Sequence, residues 1–557
     1  MKDEILKIIK DSVDSLGLPE TADGNRAEFE VSVPKKKEFG DFSTNAALII
    51  ASATGSSPRE VAQKIVEAIE QSSHGFIEKL DIAGPGFINF FVNEALFTSE
   101  LREILRLGGQ YGASSNGAGQ KVMVEFVSAN PTGYLHFGHA RNAVVGDAVC
   151  RILSFCGYDV TREFYINDAG RQMEMLGEYV YSALSHTFGI EKELPEDGYH
   201  GTYISELAEE IKESERCPQV PGDEPEALEF CREHAYSRLL EEMKKDLSDL
   251  RVDFDNWYSE RAEIHGSGGG EEKLRGTIKR LQDLGAVEKK EGALWFKASL
   301  HGDNQDWVII KTDGAPTYFL SDIAYHMDKY SRGFTKLINV WGADHHSHVS
   351  RLKSSMKALG LPESALSVLL IQFVRLVRDG VEVPMSKRTG EFVTLREVLR
   401  EVGCDATRFF LLMRSSDSHL DFDLSLAKKE SSENPVYYVQ YANARISSLL
   451  RNSAQRGINP SEEHLNLLSG DEERSIIKIL LRFPEAVHSA ANSFSPHKVV
   501  YYLQELAGEF HFYYNKTRIL DSGSTEMASA RLCLARCVQV VIENGLGLLG
   551  ISAPKSM

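Results

Sequence analysis

The sequence predicts a multidomain α/β protein: a Rossmann-like parallel-sheet core, an N-terminal α+β domain and a C-terminal all-α helical bundle. Three observations carry that prediction. The chain has 557 residues, too many for one hydrophobic core and enough for about three domains. Strand, loop, helix and strand patterns follow one another between Val122 and Ile166, a βαβ unit that requires a parallel sheet. From about Leu426 onward the apolar pattern is helical to the end.

Residues 1–110 read as the small mixed domain. An amphipathic helix (Ile5, Leu6, Ile8, Ile9, Val13, Leu16) opens it, an alternating strand runs from Ala27 to Val33, and a turn and strand span Ile82 to Phe90. Tyr111 to Gln120 is rich in Gly and Ser and reads as a linker. The Rossmann-like domain is expected over 118–420. It holds the strand Val122 to Val127, a turn-rich loop to Gly133, a helix from about His139 to Cys156 and the strand Val160 to Ile166. A ligand site belongs at the carboxyl end of the first strand. Residues 186–300 are charged and largely helical in pattern, broken at Pro218 to Pro225 and Gly266 to Gly270, as in an insertion. Sheet patterns resume at Trp307 to Thr312, Lys336 to Trp341 and Ser367 to Val377. The helical bundle follows over 426–557, with Gly545, Gly547 and Gly550 closing its last helix.

Ordinary apolar content, 42%, excludes a disordered or collagen-like chain. No run approaches the roughly 20 apolar residues that span a bilayer, and acids interrupt the first apolar pattern, which speaks against a membrane anchor or a cleaved signal. Seven thinly spread cysteines fit a reducing, cytoplasmic setting. The net charge of −19 opposes polyanion binding, but its distribution is uneven. Residues 186–300 hold 16 basic and 27 acidic side chains, whereas 420–557 hold 14 and 15, so a nucleic-acid surface outside the insertion stays open.

Two motifs carry chemistry. His136-Phe137-Gly138-His139 stands where the first core helix begins. Free N–H groups and a partial positive charge gather at such a terminus, and imidazoles at i and i+3 can donate to one phosphate chain while Gly138 leaves the backbone open. Taken alone, the same four residues are as readily two ordinary histidines. The loop Val383-Pro384-Met385-Ser386-Lys387-Arg388-Thr389-Gly390, flanked by Gly380 and Gly390, offers an ammonium and a hydroxyl on a glycine-hinged segment suited to closing over pyrophosphate. The pair resembles the HIGH and KMSKS signatures of class I aminoacyl-tRNA synthetases. One departure stands out: Pro384 replaces the first lysine of the second signature, while Lys387 keeps the second.

Longer segments are similar to arginyl-tRNA synthetases: Glu125 to Gly133, Asp313 to His326, Trp341 to His346, Gly40 to Asn45, Gly84 to Phe87 and Asn434 to Ala442. The resemblance covers essentially the whole chain. It implies catalytic roles for His136, His139 and Lys387, ATP binding by these with Gly138, Met385 and Ser386, and arginine binding by Glu125, Asn130, Tyr318, Asp322 and His345. A planar guanidinium is best held by a carboxylate that accepts two parallel hydrogen bonds, and the resemblance puts Asp322 there. Read without the resemblance, Asp322 could cap a helix, Glu125 could be paired structurally and His345 could be a core residue. The spacing of Asp344, His345, His346 and His348 matches no zinc pattern, so no metal ligands are expected in the protein.

The implied reaction joins L-arginine to ATP as an adenylate, with Mg²⁺ held mainly by phosphates, and then passes arginine to the terminal ribose of tRNA(Arg). The helical domain supplies Tyr437, Tyr438, Tyr441, Tyr513 and Tyr514 beside Arg445. An aromatic stripe on a helix is more often core, but the resemblance makes this domain the anticodon binder, with Tyr437 and Tyr441 as tRNA contacts. Asn45, with Lys35, Lys36 and Lys37, is the corresponding expectation for the N-terminal domain, and family habit implies a monomer. The rival readings are a class I synthetase for another amino acid, a small-metabolite adenylating or nucleotidyl-transfer enzyme with the same first motif, and a noncatalytic tRNA-binding relative.

Overall fold

The structure, a computed structural model, describes residues 2–18, 29–32, 34, 37–72, 74–192, 201–220, 222, 224–266, 269–383 and 393–557. Its core elements are β1 (Lys121–Glu125), α1 (Phe137–Phe155), β2 (Asp159–Ile166), β3 (Asn256–Ser259), α2 (Tyr318–Ser331), β4 (Lys336–Gly342), α3 (His346–Ala358) and β5 (Leu366–Ile371). The five strands lie in the order β5-β4-β1-β2-β3, every pair parallel. Val122, Met123 and Val124 of β1 are fully buried, as an unbroken apolar run requires in a sheet covered on both faces. Chain connections leave β1 in opposite senses toward β2 and β4, so the crevice between β1 and β4 is the topological switch point. α1 lies close enough to the sheet that a Cβ on Gly146 would come within 2.3 Å of the Phe126 ring.

The region read as a helical insertion contains more sheet than its composition suggests. Helices Thr202–Glu213 and Glu224–Asp249 pack on Arg171–Thr187, but β3 lies inside the region and completes the parallel sheet. Strands Val287–Lys290 and Ala293–Phe296 also belong to it; they pair antiparallel with each other, and Ala293–Phe296 pairs antiparallel with Trp307–Ile310. Ser367 to Val377 is not one strand: β5 ends at Ile371, and Val374–Arg378 pairs with Leu420–Asp423 in another sheet.

In the N-terminal part a four-stranded antiparallel sheet carries helices Lys2–Ser15, Ala46–Thr54 and Pro58–Gln71. The opening helix buries Ile5, Ile8, Ile9 and Val13, while Leu16 stands exposed. Only Val31–Ser32 of the expected first strand is extended; Ala27, Glu28 and Val33 lie outside the described residues. The Gly- and Ser-rich connection is docked: Tyr111 is buried, its hydroxyl donates to the Leu480 carbonyl at 3.3 Å, and Asn544 donates to the Gly108 and Tyr111 carbonyls. Lys478 pairs with Asp41 at 2.6 Å and ties the first domain to the last. In the helical bundle, Gly545 and Gly547 sit inside helix Thr525–Leu548, and the chain turns at Gly550.

One buried guanidinium joins three parts of the chain. Arg408, on helix Cys404–Leu412, is wholly buried and meets Asp147 of α1 at 2.5 Å. It also donates to the Leu250 carbonyl at 2.9 Å and the Leu549 carbonyl at 2.8 Å. Gly550, with φ at 67°, is glycine because a Cβ there would stand 2.3 Å from that guanidinium.

Candidate active site

The chain leaves β1 through a strained turn. The Ser128 N–H donates to the Phe126 carbonyl at 2.9 Å across Val127, and Val127 and Ser128 have φ of 66° and 43°. A β-branched residue in that conformation persists only where its surroundings hold it. Asn142 of α1 does so: its amide oxygen accepts from the Val127 N–H at 2.7 Å and its NH₂ donates to the Val340 carbonyl at 2.8 Å. Asn142 thereby bridges β1 and β4 at the switch point.

His136 is the N-cap of α1 and makes no side-chain bond to the first amides of the helix; the His139 N–H donates to the His136 carbonyl at 3.0 Å. The His136 and His139 rings stack with centroids 3.7 Å apart. Burial pushes both imidazoles below their ordinary range, His139 to about 3, with His136 as a second cause for His139. The segment that follows the second motif returns here, from Val393 onward. The Phe137 N–H donates to the Val393 carbonyl at 2.9 Å and the Leu395 N–H to the Leu135 carbonyl at 2.8 Å. Thr394 then caps helix Leu395–Val402 in a capping box with Glu397. Met385, Ser386 and Lys387 lie outside the described residues.

A cavity of about 450 Å³ opens at the carboxyl ends of β1 and β4. Its lining includes the acids Glu125, Glu260, Asp322 and Asp344 and, among the described residues, no lysine or arginine. Asp322 lies in the first half of α2, which Thr317 caps; its carboxylate accepts from His348 Nε2 at 2.7 Å. Glu260 is buried after the end of β3 and meets His265 Nε2 at 3.2 Å. Burial and the carboxylates of Glu260 and Asp322 push the Tyr165 phenol up, so all three groups share one neighbourhood. Tyr318 lines the cavity and is 66% exposed, while His345 lines it from an exposed rim.

Glu125 is both a lining residue and a structural partner. One oxygen takes Lys329 Nζ at 2.6 Å and the other the Ser128 hydroxyl at 3.2 Å. Lys329 also donates to Asn339 Oδ1, Asn339 donates to His326 Nε2, and His326 Nδ1 donates to the Asp322 carbonyl. Those partners fix the neutral His326 tautomer, and burial with the nearby Lys329 charge holds its pKa well below the usual value. The relay links Glu125 to the turn of α2 that carries Asp322. Asn130 is not brought to the cavity; its NH₂ donates to Gln172 Oε1 at 2.6 Å.

Comparison with known proteins decides the family. Residues 100–418 match the description "tRNA synthetases class I (R), catalytic domain", residues 3–92 "Arginyl tRNA synthetase N terminal domain", and residues 439–557 "DALR anticodon binding domain". The chain is 44% identical to the arginine–tRNA ligase of Bacillus subtilis over 558 residues, covering 100% of this chain and 99% of that one. It is 47% identical to that of Geobacter sp. over 538 residues, 96% of each. The chain belongs to the arginyl-tRNA synthetase family. A solved arginyl-tRNA synthetase from Campylobacter jejuni superposes with a TM-score of 0.76 at 32% identity, covering 84% of this chain and 100% of that one. The Thermus thermophilus arginyl-tRNA synthetase shares the fold with a TM-score of 0.77 at 24% identity, all of both chains being covered. The rival readings are not favoured beside these matches.

In the helical domain Tyr437 and Tyr441 stack along helix Pro435–Gln455 with centroids 5.9 Å apart. Arg445 lies over the rings of Tyr441 and Tyr514 at 4.7 and 4.6 Å. Tyr513 does not share this ladder: it is buried and donates to Glu473. Asn45 accepts the Glu30 N–H at 3.0 Å and so pins the first domain's backbone. Lys35 and Lys36 lie outside the described residues. Among the described residues no helix is long and apolar enough to cross a membrane. Sequence reasoning missed Glu260 and Asn142; the end of a parallel strand was the signal for Glu260, and it was hidden because β3 had been read as part of a helical insertion.

Proposed function

We propose that, as an arginyl-tRNA synthetase, the chain joins L-arginine to ATP at this switch point and then esterifies tRNA(Arg). The guanidinium is directed at Asp322 and Glu260, Tyr318 closes over the side chain, and Glu125 faces the α-amino group. Asn130 would have to turn away from Gln172 to join them. The single observation that carries this reading is the lining itself: four carboxylates and, among the described residues, no lysine or arginine suit a ligand with two cationic groups.

The arginine carboxylate attacks the α-phosphorus and pyrophosphate leaves; a terminal ribose hydroxyl of tRNA then attacks the adenylate carbonyl and AMP leaves. The positive end of α1, with His136 and His139, holds the triphosphate, and neutral imidazoles donate N–H groups without repelling an arriving cation. Lys387, with Met385, Ser386 and Gly138, is assigned to the same nucleotide, and the return of the chain at Val393 beside Phe137 supports that assignment. Magnesium would be held mainly by the phosphates of ATP and would offset their charge, with the exposed Asp344 carboxylate as the side chain that would face it. Tyr437 and Tyr441, stacked and flanked by Arg445, fit unpaired anticodon bases, and Asn45 is kept as an N-terminal tRNA contact. Seven free cysteines fit a cytoplasmic setting, and a monomer is proposed on family likeness. The proposed domain limits are 1–110, 118–420 and 426–557.

Pyrophosphate exchange tests the reading, run with and without tRNA(Arg) and with each amino acid in turn. Exchange with arginine alone is the expected result; exchange with another amino acid and not arginine would remove the specificity assignment.

A further inference from the structure

A second cavity, of about 570 Å³, lies on the other side of the start of α3 and shares Ser347 with the arginine cavity. Its lining has the opposite character. Arg351, Lys353 and His346 contribute to it, with Trp307, Asn304 and Gln305, and no Asp or Glu does. The Arg351 guanidinium lies on the Trp307 indole, 3.4 Å from its centroid, and its Nε is buried without a partner. The charges of Asp303 and Asp322 act on Arg351, but both are already engaged: Asp303 by Trp307 Nε1 at 2.7 Å, the Ser350 hydroxyl at 3.0 Å and the Asn304 N–H at 2.8 Å, and Asp322 by His348 Nε2 at 2.7 Å. Among the described residues no carboxylate is placed to pair with this guanidinium.

Such a plate suits a nucleic acid. A nucleobase stacks on a guanidinium plane, a phosphodiester pairs with its edge, and amide side chains reach base edges. We propose that this cavity receives the unpaired 3′ end of the tRNA, with a base on the Arg351–Trp307 plate and a phosphate on Arg351 or Lys353. The proposal rests on the arginylation reading. Transfer requires the terminal ribose to reach the adenylate carbonyl, so nucleotides of that end must lie beside the arginine cavity, and the shared Ser347 wall makes this cavity a direct neighbour. The acidic lining next door repels the phosphates and keeps the strand on the cationic side.

The experiment compares affinities for intact tRNA(Arg) and tRNA(Arg) trimmed of its three terminal nucleotides, using the full chain and its R351Q and W307L variants. Each variant is expected to weaken intact tRNA about ten-fold while leaving the trimmed tRNA unchanged, the scale of one lost stacking contact. An equal loss for both tRNAs, no loss for either, or a wild-type chain indifferent to trimming overturns the proposal. Photo-crosslinking of the unaltered chain to tRNA with a terminal 8-azidoadenosine is independent of folding in the variants. Attachment within residues 304–307 or 346–353 is expected; attachment confined to any other segment overturns the proposal. Failure of the arginylation reading is separately visible, as absence of arginine-dependent exchange in the wild-type chain.

Discussion

One cavity lies against the start of helix Cys404–Leu412 and another at the strand ends of the parallel sheet, and they differ in what their charges do. The one at the seam with the helical domain is the larger, about 560 Å³, and is lined by Arg251, Lys428 and Lys429 against Glu401, Asp405 and Glu430. Its central acid is spent on the protein: Asp405 holds Arg251 at 2.5 Å, Gln440 at 2.8 Å and the Ser552 hydroxyl. The smaller one, at the strand ends, has four acids and, among the described residues, no lysine or arginine in its lining. Size therefore does not mark the reacting site. We read as its mark the acids left to histidines: Glu125 is held by Lys329 at 2.6 Å, whereas Glu260 and Asp322 meet His265 and His348, which leaves room for a cationic ligand.

The comparison can be broken first at the seam. Arg408→Met takes this donor from the Leu250 and Leu549 carbonyls and leaves Asp147 to Arg151 at 2.6 Å, and denaturant unfolding should show a loss of about 3 to 5 kcal/mol. The Michaelis constant for arginine should stay within about two-fold of wild type, since the catalytic cavity is untouched. At the strand ends the effects should be reversed. Asp322→Asn should lower kcat/KM for arginine by about 2 to 4 kcal/mol, that is about 30- to 1000-fold, with thermal unfolding nearly unchanged. Unchanged selectivity would mean the wrong carboxylate has been named, and Glu260→Gln is the companion test. Asn142→Ala leaves the Val127 N–H without its acceptor and should cost about 1 to 3 kcal/mol of stability, together with a fall in kcat.

The smallest effect concerns pH. His136 and His139 are held below their ordinary pKa, so below about pH 6.5 the unfolded chain binds more protons at these sites than the folded one does. Their contribution is complete above that pH and is lost as the pH falls toward the folded values. Melting temperatures between about pH 6.5 and 4.5 should therefore decline less steeply in a His136→Gln, His139→Gln variant.

Much of the core is legible in the sequence because its signals are local. β1 is a continuous apolar run, and α1 begins at a motif whose i, i+3 imidazoles do stack. β3 is not legible: Asn256 to Ser259 is only four residues of mixed pattern between charged helices, and parallel pairing to β2 decides its state. Glu260 was lost with it. Ser367 to Val377 reads as one strand because both halves are apolar, and the change of sheet at Gln372 and Phe373 has no local sign. Asp322 could be found only through likeness to a family; in the sequence it is one acid in a helical stretch, and its place depends on His348 from another element. The aromatic ladder of the helical domain divides the same way, with Tyr437 and Tyr441 on its face and Tyr513 in the core.

Arg408 bears on how the molecule is made. Its acceptor at Leu549 lies 141 residues further along the chain. At roughly 5 to 20 residues per second the ribosome needs roughly 7 to 30 s to deliver that carbonyl. During that interval the guanidinium has only part of its shell, and the back of the helix that begins with His136 is not sealed. The nucleotide-binding half thus stays immature until the bundle far downstream has been synthesised and has docked, so a nascent chain acquires its anticodon-facing part before it can act.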